Sequence, residues 1–118
     1  TELKDTISGT PSYLSPELVR GEYMDCRSEI FTLGLILFEI VTLSKAVTGK
    51  SPREILLKIC DGKRDPIRHR FGLQIAPALR GMIKKALHPD REKRYQRVAD
   101  FAEELRNYLT VFSCKDAN

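Results

Sequence analysis

Tryptophan is absent from this 118-residue sequence, cysteine and histidine are scarce, and no hydrophobic run is long. The three cysteines, Cys26, Cys60 and Cys114, are far apart and form no CxxC pair. This spacing excludes a disulfide scaffold and a cysteine-rich zinc site, and it favours a reducing compartment. His69 and His88 have no carboxylate at a ligand spacing on a shared helix face, so we predict no metal site.

Membrane-spanning and secretory features are also missing. The longest apolar stretch, residues 30–41, contains Glu39 and is shorter than the roughly 20 residues that cross a bilayer. The charged opening at residues 1–5 does not resemble a signal peptide. We therefore expect a cytoplasmic protein with no membrane partner for this segment.

Positive charge is concentrated in one part of the chain. The 20 basic and 16 acidic side chains give a formal net charge of +4. Residues 50–97 hold 14 of the basic but only 5 of the acidic side chains, whereas residues 1–49 and 98–118 are both net negative. A solvated basic face explains this pattern most simply, and a docking surface for an acidic partner is the alternative. No aromatic residues alternate with the basic ones, so no nucleic-acid partner is predicted.

Cap and turn residues predict where the shorter helices begin and end. Ser15 precedes Pro16, which suits a first helical position, and Gly21 ends the short helix that follows. Ser51 and Glu54 form a capping box, so a second short helix is expected from there to about residue 60.

Hydrophobic spacing predicts the longer helices and the fold class. Residues 28–43 are apolar on every side, which is typical of a buried central helix. Helical spacing also runs from residue 77 to a stop at residues 88–89, and from about residue 97 to residue 109. Residues 63–76 are predicted to be an irregular basic loop, and no stretch convincingly predicts a strand. The predicted fold is therefore all-α, with about five helices arranged around the central one.

Three short motifs in a fixed order resemble protein serine/threonine kinases. Residues 9–17, GTPSYLSPE, resemble the end of the kinase activation loop, with Ser15 where the family usually has alanine. Residues 25–34 resemble the start of the buried central helix of that family, and residues 88–95 resemble the connection before its last helix. The overall pattern is similar to the bacterial transmembrane-receptor type of serine/threonine kinase.

The resemblance implies the second half of the helical C-terminal lobe of a kinase. The whole lobe is here called the C-lobe. Residues 1–14 would form the end of the activation loop and the P+1 loop, which faces the substrate residue after the phosphoacceptor. Residues 15–109 would form the partial C-lobe, and residues 110–118 are predicted to be a frayed tail.

The groups that carry out phosphoryl transfer are not among the matched residues. The sequence has no GxGxxG or Walker loop, and the match includes neither the Lys–Glu pair, the catalytic loop nor the DFG aspartate that holds magnesium. The resemblance therefore implies Mg-ATP as the cofactor of the full-length parent and no cofactor for this chain. By itself the chain is predicted to be inactive, with no catalytic residue.

The resemblance also implies roles for residues near the start of the chain. Gly9, Thr10 and Pro11 would form the P+1 platform that contacts the protein substrate. Thr10 corresponds to the threonine that bonds the catalytic aspartate and helps to select a hydroxyl substrate. Thr6 stands where many family members carry the activating phosphate, so it is a candidate phosphorylation site.

Three charged residues have structural roles in the family pattern. Glu17 and Arg94 correspond to a buried ion pair that joins the end of the activation loop to the last helices. They are 77 residues apart, so only the family pattern predicts their contact. Glu29 stands where the family normally has an aspartate that anchors the catalytic-loop backbone from the central helix. The longer glutamate needs a shifted backbone or another rotamer to make the same bond.

Two functions from different classes follow. The first is a part of a serine/threonine kinase whose full-length parent phosphorylates proteins. The alternative is a non-enzymatic helical module, a kinase remnant that binds another protein through its basic surface or through the face left bare by the missing half. Self-association is also expected. The missing half would leave apolar surface around the central helix exposed, and soluble monomers rarely expose large apolar patches. Residues 1–14 could serve as an arm exchanged between two copies.

Overall fold

The fold consists of α-helices joined by turns and irregular loops. A computed structural model describes residues 11–117, and within this range it contains no strand, which confirms the predicted all-α class. The five helices are α1 (Pro16–Arg20), α2 (Cys26–Thr42), α3 (Pro52–Cys60), α4 (Pro77–Ala86) and α5 (Val98–Ala117). Two 3-10 turns, Pro11–Tyr13 and Arg91–Lys93, precede α1 and α5.

Local caps explain where the short helices begin and end. The Ser15 hydroxyl accepts a hydrogen bond from the Leu18 amide at 3.3 Å, and Pro16 occupies the first turn of α1. Gly21 ends α1 in a left-handed conformation with φ 74°, which costs glycine little. The Ser51 hydroxyl caps α3 by accepting from the Glu54 amide. These caps confirm the predicted boundaries.

Helix α2 contributes large buried side chains to both hydrophobic clusters of the described range. Phe31, Leu35 and Phe38 pack with residues of α1, α3 and the loops. Ile30 and Phe101 belong to a second cluster that α2 forms with α4, α5 and the segment between them. Burial on both sides makes α2 the central helix of the described range.

One face of α2 is exposed, and here the expectation of a helix buried all round is wrong. Leu33, Ile36 and Ile40 are 42%, 42% and 66% exposed. The physical reason is that residues 11–117 supply packing partners on two sides of α2 only. An apolar sequence shows that a face can be buried, and does not supply the partner that buries it.

The C-terminal helix is longer than the sequence suggests. Helix α5 continues to Ala117, so residues 110–117 are helical where a frayed tail is expected. No proline or glycine follows residue 109 to end the helix. None of the helices within the described range combines the length and the hydropathy that a membrane crossing requires.

Candidate functional site

The substrate-facing residues expected at the start of the chain fall mostly outside the described residues. This holds for Thr6, Gly9 and Thr10, whose roles stay predictions. Pro11 begins the 3-10 turn that leads into α1.

Tyr13, the last residue of this turn, makes two hydrogen bonds to α2. The Tyr13 hydroxyl donates to Glu39 Oε1, and Thr32 Oγ1 donates to the Tyr13 carbonyl at 3.0 Å. The hydrogen bond to Glu39 raises the pKa of Tyr13. This contact was not predicted from the sequence, where Glu39 stood out only as an interruption of an apolar run. The turn is thus held against the middle of α2.

The structure brings Glu17 and Arg94 together in a buried, two-bond ion pair. Arg94 Nη2 donates to Glu17 Oε1 at 2.7 Å, and Arg94 Nη1 donates to Glu17 Oε2 at 2.8 Å. Each residue is 2% exposed. The planar guanidinium matches the two carboxylate oxygens, which is the geometry that strengthens such pairs. The pair connects α1 to the segment before α5.

Further hydrogen bonds satisfy the remaining polar atoms of the pair. Ser28 Oγ donates to Glu17 Oε2 at 2.7 Å. Arg94 Nε donates to the His88 carbonyl at 2.7 Å, and Arg94 Nη1 also donates to the Arg27 carbonyl at 3.0 Å. The sequence analysis did not identify Ser28 as a partner of Glu17, because the two residues are 11 positions apart. Glu17, Arg94 and Ser28 together form what is here called the clamp, which ties together α1, α2 and the loop after α4.

The clamp keeps the Glu17 carboxylate ionised. Burial on its own raises the pKa of Glu17, but the hydrogen bonds from Arg94 and Ser28 outweigh it, so the pKa lies below its usual value. A lowered pKa in the folded state stabilises the fold at pH values above the pKa of the unfolded chain. This contribution is lost as the pH falls through the folded-state pKa.

A second set of charges lies beside the clamp and closer to solvent. Arg27 Nη2 pairs with Asp25 Oδ2 at 2.8 Å, and Arg27 Nη1 pairs with Glu92 Oε1 at 3.0 Å. The hydrogen bond from Arg27 holds the pKa of Asp25 below its usual value. Because these groups are partly exposed, the pairs contribute less to stability than the buried clamp does.

Glu29, the expected anchor on the central helix, lies exposed in the first turn of α2. Within residues 11–117 its carboxylate has no hydrogen-bond or ion-pair partner. Its anchoring role stays a prediction.

The described residues form a structural clamp and hold no metal-binding cluster. No group of three histidine, cysteine, aspartate or glutamate side chains among them could hold a metal ion. The carboxylate and the guanidinium of the clamp are paired with each other. The arrangement ties α1 to α2 and to the segment before α5.

Comparison with known proteins connects this geometry to a family. The sequence-family model described as the protein kinase domain matches residues 1–107. The chain is 35% identical over 100 residues to serine/threonine-protein kinase PknB of Mycolicibacterium smegmatis, covering 84% of this chain and 16% of PknB. It is 37% identical over 91 residues to serine/threonine-protein kinase Nek8 of Danio rerio, covering 77% of this chain and 12% of Nek8. The chain thus spans about one sixth or less of these relatives. It belongs to the protein kinase domain family, within its serine/threonine-protein kinases.

Proposed function

We propose that this chain is the part of a serine/threonine kinase C-lobe that supports the substrate-facing end of the activation loop. The observation that carries this proposal is the buried clamp between Glu17 and Arg94. In the family pattern this pair joins the end of the activation loop to the last helices. The clamp supports this role because it fixes α1, and with it the chain immediately before α1, to the helical core.

The contacts of Tyr13 support the same role. Tyr13 lies three residues after Thr10 and is bonded to α2 through Glu39 and Thr32. Gly9, Thr10 and Pro11 are proposed to contact the protein substrate, as the family pattern implies. In the full-length parent, Thr10 would bond the catalytic aspartate, and a phosphate on Thr6 would set the loop conformation.

The chain by itself is proposed to transfer no phosphate. Phosphoryl transfer depends on positioning and charge stabilisation by groups that cradle ATP and magnesium. None of the matched motifs contributes such a group, so Mg-ATP would bind to the parent through other residues.

Calorimetric titration of this chain with Mg-ATP is expected to give no binding heat beyond dilution. A serine/threonine kinase with a complete domain serves as the positive control under the same conditions. Saturable binding in the micromolar range by this chain would contradict the proposal.

A second candidate function, a non-enzymatic module, is favoured by an apolar groove between α2 and α5. The groove has a volume of about 240 Å³. Its lining is almost entirely carbon, and consists of Leu33, Ile36, Leu37, Ile40, Val98, Phe101, Ala102 and Leu105. A surface of this composition is stabilised when another apolar surface excludes water from it.

The occupant that we propose for the chain by itself is a second copy. Each copy presents the same exposed apolar face of α2, which includes Ile40 and lines the groove. A two-fold axis would place both grooves against each other, as in most homodimers. The two functions can be distinguished from the gene. A catalytic loop and a DFG sequence encoded upstream would favour the kinase, and a start codon without them would favour the module.

Ile40→Glu is expected to convert the self-associated chain to a 13.5 kDa monomer in sedimentation velocity. The carboxylate would have to be desolvated within the apolar interface. Leu57→Glu is the matched control, because Leu57 is 56% exposed on α3 and does not line the groove. A wild-type chain that is monomeric at high concentration, or equal effects of both substitutions, would contradict self-association through the groove.

A further inference from the structure

A basic cleft lies on the molecule between the loop after α3 and the end of α4. Its volume is about 460 Å³. Lys63 and Arg64 line one side, and Lys84 and His88 line the other. No carboxylate lines the cleft. The carboxylate nearest to Arg64 in the sequence, Asp65, instead accepts a hydrogen bond from Thr48.

The cations of the cleft lack the carboxylate partners that three arginines elsewhere in the described range have. Arg27, Arg91 and Arg94 each pair with a carboxylate. Within residues 11–117, neither Lys63 nor Lys84 has an ion-pair partner. Three positive charges therefore converge on one concave surface without compensation, in the part of the chain where basic residues outnumber acidic ones by 14 to 5.

Arg64 is a partly buried cation of the cleft without a counter-ion in the described range. Its side chain is half-buried, and it lies beside the core residues Phe31 and Leu35. The one hydrogen bond that its guanidinium makes in the described range is to the Asp65 carbonyl, at 3.4 Å. Burial without a counter-ion lowers the pKa of Arg64. An anion in the cleft would offset this cost and use the remaining donors.

His88 adds an oriented donor to the same cleft. Its Nδ1 accepts a hydrogen bond from the Asp90 amide at 3.0 Å. An imidazole whose Nδ1 is an acceptor carries its proton on Nε2. The neutral ring is therefore a hydrogen-bond donor at Nε2 and complements the lysine and arginine groups.

We propose that this cleft binds the phosphoryl group of a phosphorylated serine or threonine in a partner protein. A phosphoryl group carries close to two negative charges and three acceptor oxygens, which suits three cations and an imidazole donor. Arginine and lysine together bind such groups by directed hydrogen bonds and by charge. The volume exceeds that of one phosphate and leaves room for the flanking peptide.

The lining of the cleft disfavours nucleic acid as its ligand. Single-stranded nucleic acids bind to basic grooves that also offer aromatic side chains for base stacking. No phenylalanine, tyrosine or tryptophan lines this cleft. The remaining contacts come from Gly62, Leu87 and Pro89, which suit a short peptide.

Titration of the 15N-labelled chain with an Ala-Gly-phosphoserine-Gly-Ala peptide, followed by 1H–15N NMR, tests the proposal. We expect saturable shifts that cluster at Lys63, Arg64, Lys84 and His88. The same peptide without phosphate, the peptide with glutamate for phosphoserine, and inorganic phosphate are all expected to bind at least about tenfold more weakly.

Charge reversal in the cleft supplies the matched variants. Lys63→Glu with Lys84→Glu is expected to weaken phosphopeptide binding by at least about tenfold. Lys45→Glu with Lys50→Glu makes the same change of charge at exposed lysines outside the cleft, and is expected to cost less than about threefold in affinity. All four lysines are exposed, so thermal unfolding should report folded proteins in each case.

Three results would overturn the proposal. One is equal binding of the phosphorylated and unphosphorylated peptides, and another is equal loss of affinity in the two double variants. The third is binding of inorganic phosphate as tight as that of the peptide, which would show that the cleft takes up a free anion only.

Discussion

Arg94→Met is expected to leave the chain largely unfolded. The substitution removes the partner of Glu17 and leaves a carboxylate buried without a counter-charge, at a cost of about 3–5 kcal/mol. A domain of this size has a total stability on the order of 5–10 kcal/mol. Loss of the hydrogen bonds to the His88 and Arg27 carbonyls adds to the effect. Circular dichroism with thermal and urea unfolding measures the change.

Two further variants separate the clamp from a general effect of losing an arginine. Arg94→Lys is expected to rescue poorly, because an ammonium group cannot make both bonds to Glu17. Arg97→Met removes an exposed arginine three residues further along, and is expected to change stability by less than about 0.5 kcal/mol. An Arg94→Met protein as stable as the Arg97→Met protein would show that the clamp contributes nothing.

Gly34→Leu is expected to be the second strongly destabilising change. A Cβ atom at Gly34 would lie 2.8 Å from Ala86 Cβ and 3.0 Å from Leu87 Cδ2. Helices α2 and α4 therefore approach each other too closely at this point for any side chain. A leucine would push the helices apart, with a loss on the order of 3 kcal/mol. The urea midpoint measures it.

Gly81→Ala is the matched control, because a Cβ atom at Gly81 in α4 would have no neighbour within 4 Å. Alanine is favoured over glycine inside a helix by roughly 0.5–1 kcal/mol, so this variant is expected to be slightly more stable. If Gly34→Leu also left the midpoint unchanged or raised it, the close packing of α2 on α4 would not hold in solution.

The parts of the fold that are predictable from the sequence are those set by interactions between residues close together in the chain. Ser15, Gly21 and Ser51 set helix ends through bonds within three or four residues. The pairing of Glu17 with Arg94 has no local signal, and its expectation depended on the family resemblance alone. The bonds of Ser28 to Glu17 and of Tyr13 to Glu39 connect residues 11 and 26 positions apart. Such contacts depend on how the helices pack.

Burial was less predictable than helix formation. The apolar character of α2 led to an expectation of complete burial, whereas Ile36 and Ile40 are exposed and line the groove. The cleft at Arg64 was visible only as an excess of positive charge in residues 50–97. Its concave shape arises from the approach of the loop after α3 to the end of α4, which no sequence pattern reports.

A double-mutant cycle on Glu17 and Arg94 tests most directly the claim that a buried clamp joins α1 to the segment before α5. Glu17→Gln, Arg94→Met and the double variant are compared with the wild type by urea unfolding, with trimethylamine N-oxide present so that the single variants fold. The double variant leaves no lone buried charge, so it should lose less stability than the sum of the single variants. We expect a coupling free energy of about 2–3 kcal/mol. A coupling free energy near zero would contradict the clamp, because the two side chains would then not meet in the folded chain.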